Sequence, residues 1–331
     1  MADVVIAAYR RSPFHFAHKG QLVKLRPDEM AAQVARALVE QSGVDPETIE
    51  DVIVGCAFPE GEQGLNVARL ICFLAGLPQG TAAVTVNRFC GSSMQGVHQA
   101  AGAIRMGAGE AFLCAGVESM SRVPLGGFNP MPHPGLAKDF PQAFVSMGET
   151  AENVARRHQV PRAAQEEFAV RSHRKAAAAQ EAGRLAEEIV PVAVNGRTVE
   201  RDGCIRPDTD AEALAKLKPA FHQDGTVTAG TSSPLTDGAA AVLVCSAEYA
   251  RTHGLEPLAT VKAIAVAGCA PEVMGMGPVA ATRKALARAG ITARDLDVVE
   301  LNEAFASQAI ACIRELGLDE AKVNLDGGGI A

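Results

Sequence analysis

The feature that most constrains this chain is a repeat. "VDPETIEDVIVGCAF" (44–58) and "ITARDLDVVELNEAF" (291–305) match almost position for position. "AAVTVNRFCGSS" (82–93) is answered by "AKVNLDGGGIA" (321–331). "GPVAATRKALARAG" (277–290) takes the place of "RPDEMAAQVARALVEQSG" (26–43), and "LATVKAIAVAG" that of the first strand. Two copies of one supersecondary unit imply two halves built on the same layered plan.

The first copy shows the plan. "DVVIAAY" (3–9), "EDVIVGCA" (50–57), "AAVTVNRF" (82–89) and "AFLCAGVES" (111–119) read as buried strands. Between them, 26–43, 64–76 and 90–106 carry helical periodicity, the first with Asp28 as a candidate cap and Gly43 as a stop. This alternation is that of an α/β domain packed in layers. From 119 the rhythm breaks. "PLGGFNPMPHPGLAKDFPQ" reads as a long loop, and "SMGETAENVARRH" and "RAAQEEFAVRSHRKAAAAQEAG" as helices of an insertion lying over the first domain. "AAAVLVCS" (239–246) returns as a buried strand. The expected division is therefore 1–118 for the first half, 119–238 for the loop and helical insertion, 239–258 for the last strand and a linker, and 259–331 for a second, incomplete half.

Composition narrows the function. With net charge −7 and no Trp, the chain offers neither a broad basic field nor a stacking surface for bases, so nucleic acid is not an expected partner. No apolar run approaches the roughly 20 residues of a membrane span. Nothing resembles a signal peptide, which points to the cytoplasm. The eight cysteines are scattered singly, which suits reduced and mostly buried thiols better than a disulfide frame or a zinc site; no metal is expected.

One cysteine stands apart. Cys90 lies where a strand turns into a helix rich in Gly, Ala and Ser. Unpaired N–H groups and the positive end of the helix dipole there favour a thiolate, and the Cys90 N–H could serve an oxyanion. The small residues suit a helix closely approached by other backbone. Local physics leaves two readings open: a nucleophile, or a structural thiol at a tightly packed helix start. His98, eight residues on, is about 12 Å away along the axis, too far to act as its base, and reads as structural.

Five ordered blocks, "VNRFCGSSMQGVHQAA", "AGVESMSRVP", "GTVTAGTSSPLTDGAAAVLV", "VMGMGPVAATRKAL" and "ELNEAFASQ", resemble the thiolases, the 3-ketoacyl-CoA acyltransferases. The wording is most similar to the thiolase (beta) subunit of bacterial fatty-acid oxidation complexes. The resemblance implies a thiolase fold and cleavage of a 3-ketoacyl-CoA by CoA, through an acyl thioester on Cys90. It implies that Asn302 serves an oxyanion site, with Glu303 beside it; locally, Asn302 would also serve as a helix N-cap and Glu303 could simply hold the helix start. It places Ser233 and Phe221 near the pantetheine arm, Arg206 near the nucleotide end, Met274 and Phe305 along the acyl pocket, and His133 in the loop over the substrate channel. For each there is a plainer structural reading: turn, core side chain, solvated cation or turn cap. Coenzyme A enters as substrate, with no bound cofactor. A homodimer or homotetramer is implied, as is a hydratase/dehydrogenase partner subunit.

Thiolases carry later "GHP" and "CxGxG" blocks, with the activating histidine and a second cysteine. This chain reaches neither by Ala331, so it is expected to be an incomplete copy of a full thiolase. The alternatives are a biosynthetic acetoacetyl-CoA thiolase and a catalytically impaired CoA-binding or scaffold protein. A cysteine hydrolase fits poorly, because no local His or Asp accompanies Cys90.

Overall fold

The structure is a computed structural model that describes residues 2–331. In chain order its elements are β1 (Val4–Arg11), β2 (His15–Phe16), α1 (Pro27–Ser42), β3 (Asp51–Gly55), α2 (Val67–Ala75), β4 (Ala82–Val86), α3 (Ser92–Met106) and β5 (Ala111–Ser119). Then follow α4 (Pro134–Asp139), α5 (Met147–Arg157), α6 (Arg162–Glu181), β6 (Val192–Val194), β7 (Arg197–Val199) and α7 (Ala211–Ala215). Last come β8 (Thr236–Ser246), α8 (Ala247–Thr252), β9 (Ala259–Thr260), α9 (Gly277–Ala289) and α10 (Ala306–Leu316).

These elements form two compact units. The first comprises residues 1–130, 186–203 and 235–262; the second comprises 131–185, 204–234 and 263–331. The insertion helices α5 and α6 thus cluster with the C-terminal segment, where the linear division 1–118, 119–238, 239–258 and 259–331 had laid them over the first half. The reason is apolar: Val154 of α5 and Phe168, Ala169 and Val170 of α6 share one core with Ala309, Ile310 and Ile313 of α10.

The sheet of the first unit runs β4-β3-β5-β8-β1-β9. β3 pairs parallel with β4 and β5, whereas β8 is antiparallel to both β5 and β1. Side chains alternate between two cores. Val52, Val54, Leu113, Ala115 and Leu243 meet α1 and α2; Ile53, Phe112, Cys114 and Val244 meet α3. A sheet covered on both faces needs apolar residues at successive positions, which is why these strands read as unbroken runs. On α1, Met30, Val34 and Leu38 recur at helical spacing and are fully buried, each contributing roughly 1.5–3 kcal/mol. Gly43 ends α1 in the left-handed region, as expected. Asp28 does not cap it. Arg26 holds the N-cap position, Pro27 opens the helix, and Asp28 sits in the first turn, paired with Arg26. A carboxylate there still gains from the helix dipole.

In the second unit the repeat is visible as one parallel bridge, Val299↔Val323, joining the segments matched to β3 and β4. Residues 261–270 form no strand; of "LATVKAIAVAG" only Ala259–Thr260 pairs, with β1. The expected long loop contains α4 and a 3-10 turn at Pro141–Phe144. Eight cysteines are free thiols, and only Cys90 and Cys269 are exposed. Among the described residues no helix is long and apolar enough to cross a membrane.

Candidate active site

Cys90 occupies a 3-10 turn, Phe89–Gly91, between β4 and α3. The turn is tight because Phe89 takes φ 46°, the left-handed region that costs a non-glycine residue roughly 1–2 kcal/mol. Burial does not repay that cost, since the Phe89 side chain is 62% exposed and its ring lies tilted against Phe58, 6.0 Å between centroids. Hydrogen bonds hold it instead. Phe89 N–H donates to Asn87 Oδ1 (2.8 Å), and Phe89 O accepts from Ser92 Oγ (2.6 Å), which also accepts from Arg88 N–H (2.8 Å).

Behind the turn, α3 lies against bare backbone. A Cβ on Gly55 would overlap Ser93 N and come within 2.8 Å of Ser92 Cβ; one on Gly96 would stand 3.2 Å from Ile53 O. The small residues of "CGSSMQG" are thus the fit of helix to sheet, as expected for a closely approached helix.

A polar network runs from the turn to the fully buried Gln63. Asn87 Nδ2 donates to Ala57 O (2.9 Å), and Ala57 N–H donates to Glu118 Oε2 (2.7 Å). Glu118 Oε1 accepts from Gln63 Nε2 (2.6 Å), whose own Oε1 accepts from Ser119 N–H (2.6 Å). Burial pushes the Glu118 carboxyl up, against the pull of the Ala57 N–H. Burial, then the Glu118 charge, pushes the neighbouring Cys56 thiol up to about 12.

The same forces act on Cys90 and correct one expectation. Although the residue opens to the surface, burial of the sulfur raises its thiol above the ordinary range. Its own backbone N–H pulls down and Glu118 pushes up. Burial thus outweighs what the helix start offers the sulfur. His98 on α3 is pushed down by burial and then by Arg88, consistent with a structural role.

The remaining candidates lie in the second unit. Asn302 is exposed, and its side chain has no partner among the described residues. It is not an N-cap, because α10 starts at Ala306 with Phe305 in the cap position. Glu303 does not hold the helix start either. It is 2% exposed and accepts from Ser172 Oγ (2.6 Å), Asn324 Nδ2 (2.9 Å) and Ile330 N–H (3.2 Å). Glu303 therefore ties α6 to the repeat segments 299–303 and 323–330.

Ser233 is drawn to the same segment. Its N–H donates to Ala304 O (3.0 Å), and Ser232 bridges Phe305. Phe221 meets Phe305 edge-on at 5.8 Å, and Met274 packs on the small core of Ala151, Val227 and Phe305. Ser233, Phe221 and Met274 thus gather around Ala304 and Phe305, just after Asn302. Arg206 and His133 do not belong to that core. Arg206 is exposed, with its N–H donating to His173 Nδ1 (3.2 Å). His133 caps α4, accepting from Leu136 N–H (3.1 Å), as the plainer reading of that residue had it.

Sequence reasoning missed Asn87, Ser92, Gln63 and Glu118 around Cys90, and Ser172 and Asn324 around Glu303. Asn87 carried a usable signal, since an Asn two residues before a backbone N–H favours the local turn seen here. Gln63 and Glu118 carried none, because their partners are set by the sheet.

Comparison with known proteins identifies the family. The family described as "Thiolase, N-terminal domain" matches residues 4–248, and "Thiolase, C-terminal domain" matches 255–331. A "3-ketoacyl-CoA thiolase" of Bacillus subtilis is 46% identical over 344 residues, covering 100% of this chain and 88% of that protein. Another, from Pseudoalteromonas translucida, is 49% identical over 341 residues, covering 100% and 87%. A crystal structure of the Bacillus anthracis acetyl-CoA acetyltransferase superposes with a TM-score of 0.92 at 38% identity, covering 100% of this chain and 87% of that one. With both domain families matched across nearly every residue, the chain belongs to the thiolase family.

Proposed function

We propose that this protein cleaves 3-ketoacyl-CoA with CoA, giving acetyl-CoA and an acyl-CoA two carbons shorter. The observation that carries this reading is the pairing of an exposed Cys90, on a backbone turn kept at positive φ, with whole-length similarity to proteins named for that activity. The Cys90 thiolate adds to the 3-keto carbon. The Cys90 proton passes to solvent; the C2–C3 bond then breaks, its electron pair leaves as the acetyl-CoA enolate, and C2 takes up a proton from solvent. CoA thiolate next displaces the acyl group from Cys90, so the two steps share one thioester.

Asn302, whose amide is unengaged, is the donor proposed for a developing oxyanion. Glu303 supports it by fixing the segment. Ser233 and Phe221 are proposed to flank the pantetheine arm, Met274 and Phe305 the acyl chain, Arg206 the nucleotide and His133 the loop over the substrate. CoA acts as substrate and no bound cofactor is proposed. The protein is proposed to act in the cytoplasm as a homodimer or homotetramer, with a hydratase/dehydrogenase subunit as a further partner.

Mass analysis after mixing the protein with a 3-ketoacyl-CoA tests this reading. An acyl group is expected on the peptide bearing Cys90, and Cys90→Ala should abolish both the label and acetyl-CoA release. Asn302→Ala should lower kcat about 10²–10³-fold with little change in KM. Acetyl-CoA release unaffected by Cys90→Ala would overturn the proposal. Because the superposed structure is named an acetyl-CoA acetyltransferase, activity confined to acetoacetyl-CoA would select the biosynthetic reading.

A further inference from the structure

We propose that Gly148 and Glu152, one turn apart on α5, are positioning residues for coenzyme A: together they hold the Phe221 ring where its outer face walls the pantetheine arm. This rests on the role proposed for Phe221 above and extends it to the two residues that set the place of the ring.

Phe221 lies in a short loop that closes on itself. Pro219 bridges Thr228, and the Ala220 N–H donates to Val227 O (2.9 Å). The tip turns where the Gly225 N–H donates to His222 O (2.9 Å). α5 supplies the anchor for this loop. The buried Glu152 accepts at Oε1 from the successive N–H groups of Thr226 and Val227 (both 2.9 Å). At Oε2 it accepts from Thr226 N–H (3.0 Å) and Thr226 Oγ1 (3.3 Å). Bonds from backbone N–H groups to a carboxylate are roughly twice as strong as neutral ones.

Glu152 holds the far side of the loop, and Gly148 receives the near side. Residues four apart share one helix face, and on that face the Phe221 ring lies against Gly148. A Cβ there would overlap three carbons of the ring. Backbone freedom does not explain the glycine. Gly148 is an ordinary helical residue in the first turn of α5, where alanine is the better helix former. What the glycine provides is space for the ring.

On another side the ring meets Phe305 at 84°, 5.8 Å between centroids, and Phe305 is buried with Ala151 of the same helix. Gly148, the anchored loop and Phe305 thus confine the ring, while Phe221 stays 43% exposed. A confined aromatic ring with an open face is a preorganised contact, because a ligand that covers it does not have to order it first.

Calorimetric titration with CoA tests this in the unsubstituted protein, Gly148→Ala, Phe221→Ala and the double variant, with urea midpoints by circular dichroism as the measure of folding. Gly148→Ala should weaken CoA binding roughly tenfold, the scale of one apolar contact face withdrawn from the ligand. It should raise KM with kcat little changed. Without the ring, the same substitution should leave CoA affinity at the Phe221→Ala value and should no longer lower the urea midpoint. Should Gly148→Ala fail to fold, Glu152→Gln introduces no clash but loosens the loop, and it should weaken CoA binding only while Phe221 is present. An unaltered Kd in folded Gly148→Ala would overturn the proposal, as would equal losses with and without the ring. If the unsubstituted protein binds no CoA, the proposed function falls and this inference with it; CoA bound equally well by the unsubstituted protein and both α5 variants sinks this inference alone.

Discussion

Replacing Glu303 with Gln probes the tie at the centre of the second unit. The carboxylate accepts three donors: Ser172 Oγ and Ile330 N–H at one oxygen, Asn324 Nδ2 at the other. An amide has only one acceptor atom, so one side must face its NH2. Toward Asn324 this sets donor against donor. Asn324 cannot turn away, because its own amide is committed to Leu301 N–H and Leu301 O (both 2.8 Å). Toward Ser172 the hydroxyl can rotate and accept, but the Ile330 N–H is stranded in a buried site. The cheaper choice is the second, which loses one bond to a carboxylate and orphans one backbone donor. Together these cost about 2–4 kcal/mol, a large part of the usual 5–15 kcal/mol of a folded protein. The chain has no Trp, so urea unfolding is best followed by circular dichroism. With a slope near 3 kcal/mol/M, the midpoint should fall by about 1 M. Glu303→Gln with an unchanged midpoint and depressed kcat would refute this reasoning and return Glu303 to a direct role in the chemistry.

Two further outcomes follow from other sites. Gly55→Ala puts a methyl into Ser93 N and 2.8 Å from Ser92 Cβ, atoms of a helix that cannot retreat without moving the Cys90 turn. It should cost roughly 1–3 kcal/mol and slow Cys90 alkylation, whereas an unchanged denaturation midpoint would show that α3 can slide. His173 is 3% exposed and pushed down to about 4, first by burial and then by Arg206. The unfolded chain holds its proton up to about pH 6.5, so between those values the unfolded state binds more protons. Stability contributed by the neutral ring is present above pH 6.5 and is lost as pH falls towards 4, on the order of 2–3 kcal/mol. Urea midpoints measured from pH 7 to 4.5 should show that slope, and His173→Gln should flatten it.

The fold was legible where local pattern and tertiary need coincide. "DVIVG" reads as a strand because both of its faces are covered, and the helix after Cys90 stands out because Gly96 faces the backbone of Ile53. What was illegible depended on partners distant in sequence. Glu303 looked like a helix-start residue, yet its environment is made by Ser172, 131 positions earlier. Asp28 looked like a cap because it precedes an apolar pattern, but Pro27 begins the helix one residue sooner. The hairpin of β6 and β7 was overlooked although "VNGR" announced it, since Asn195 and Gly196 both take positive φ at its turn. For the candidate site, the residues proposed to react were readable from motif resemblance, while those hydrogen-bonded around the Cys90 turn, Asn87, Gln63 and Glu118, were not.

The place of β8 in the sheet has a consequence for how the protein is made. This strand lies between β5 and β1, yet it is translated more than 100 residues after β5 has left the ribosome. At 5–20 residues per second, the nascent chain spends roughly 5–25 s with β1 and β5 lacking the neighbour they share. Much of the second unit is synthesised during that interval. Two apolar strand edges then wait open, exposed to pairing with other chains until β8 is made.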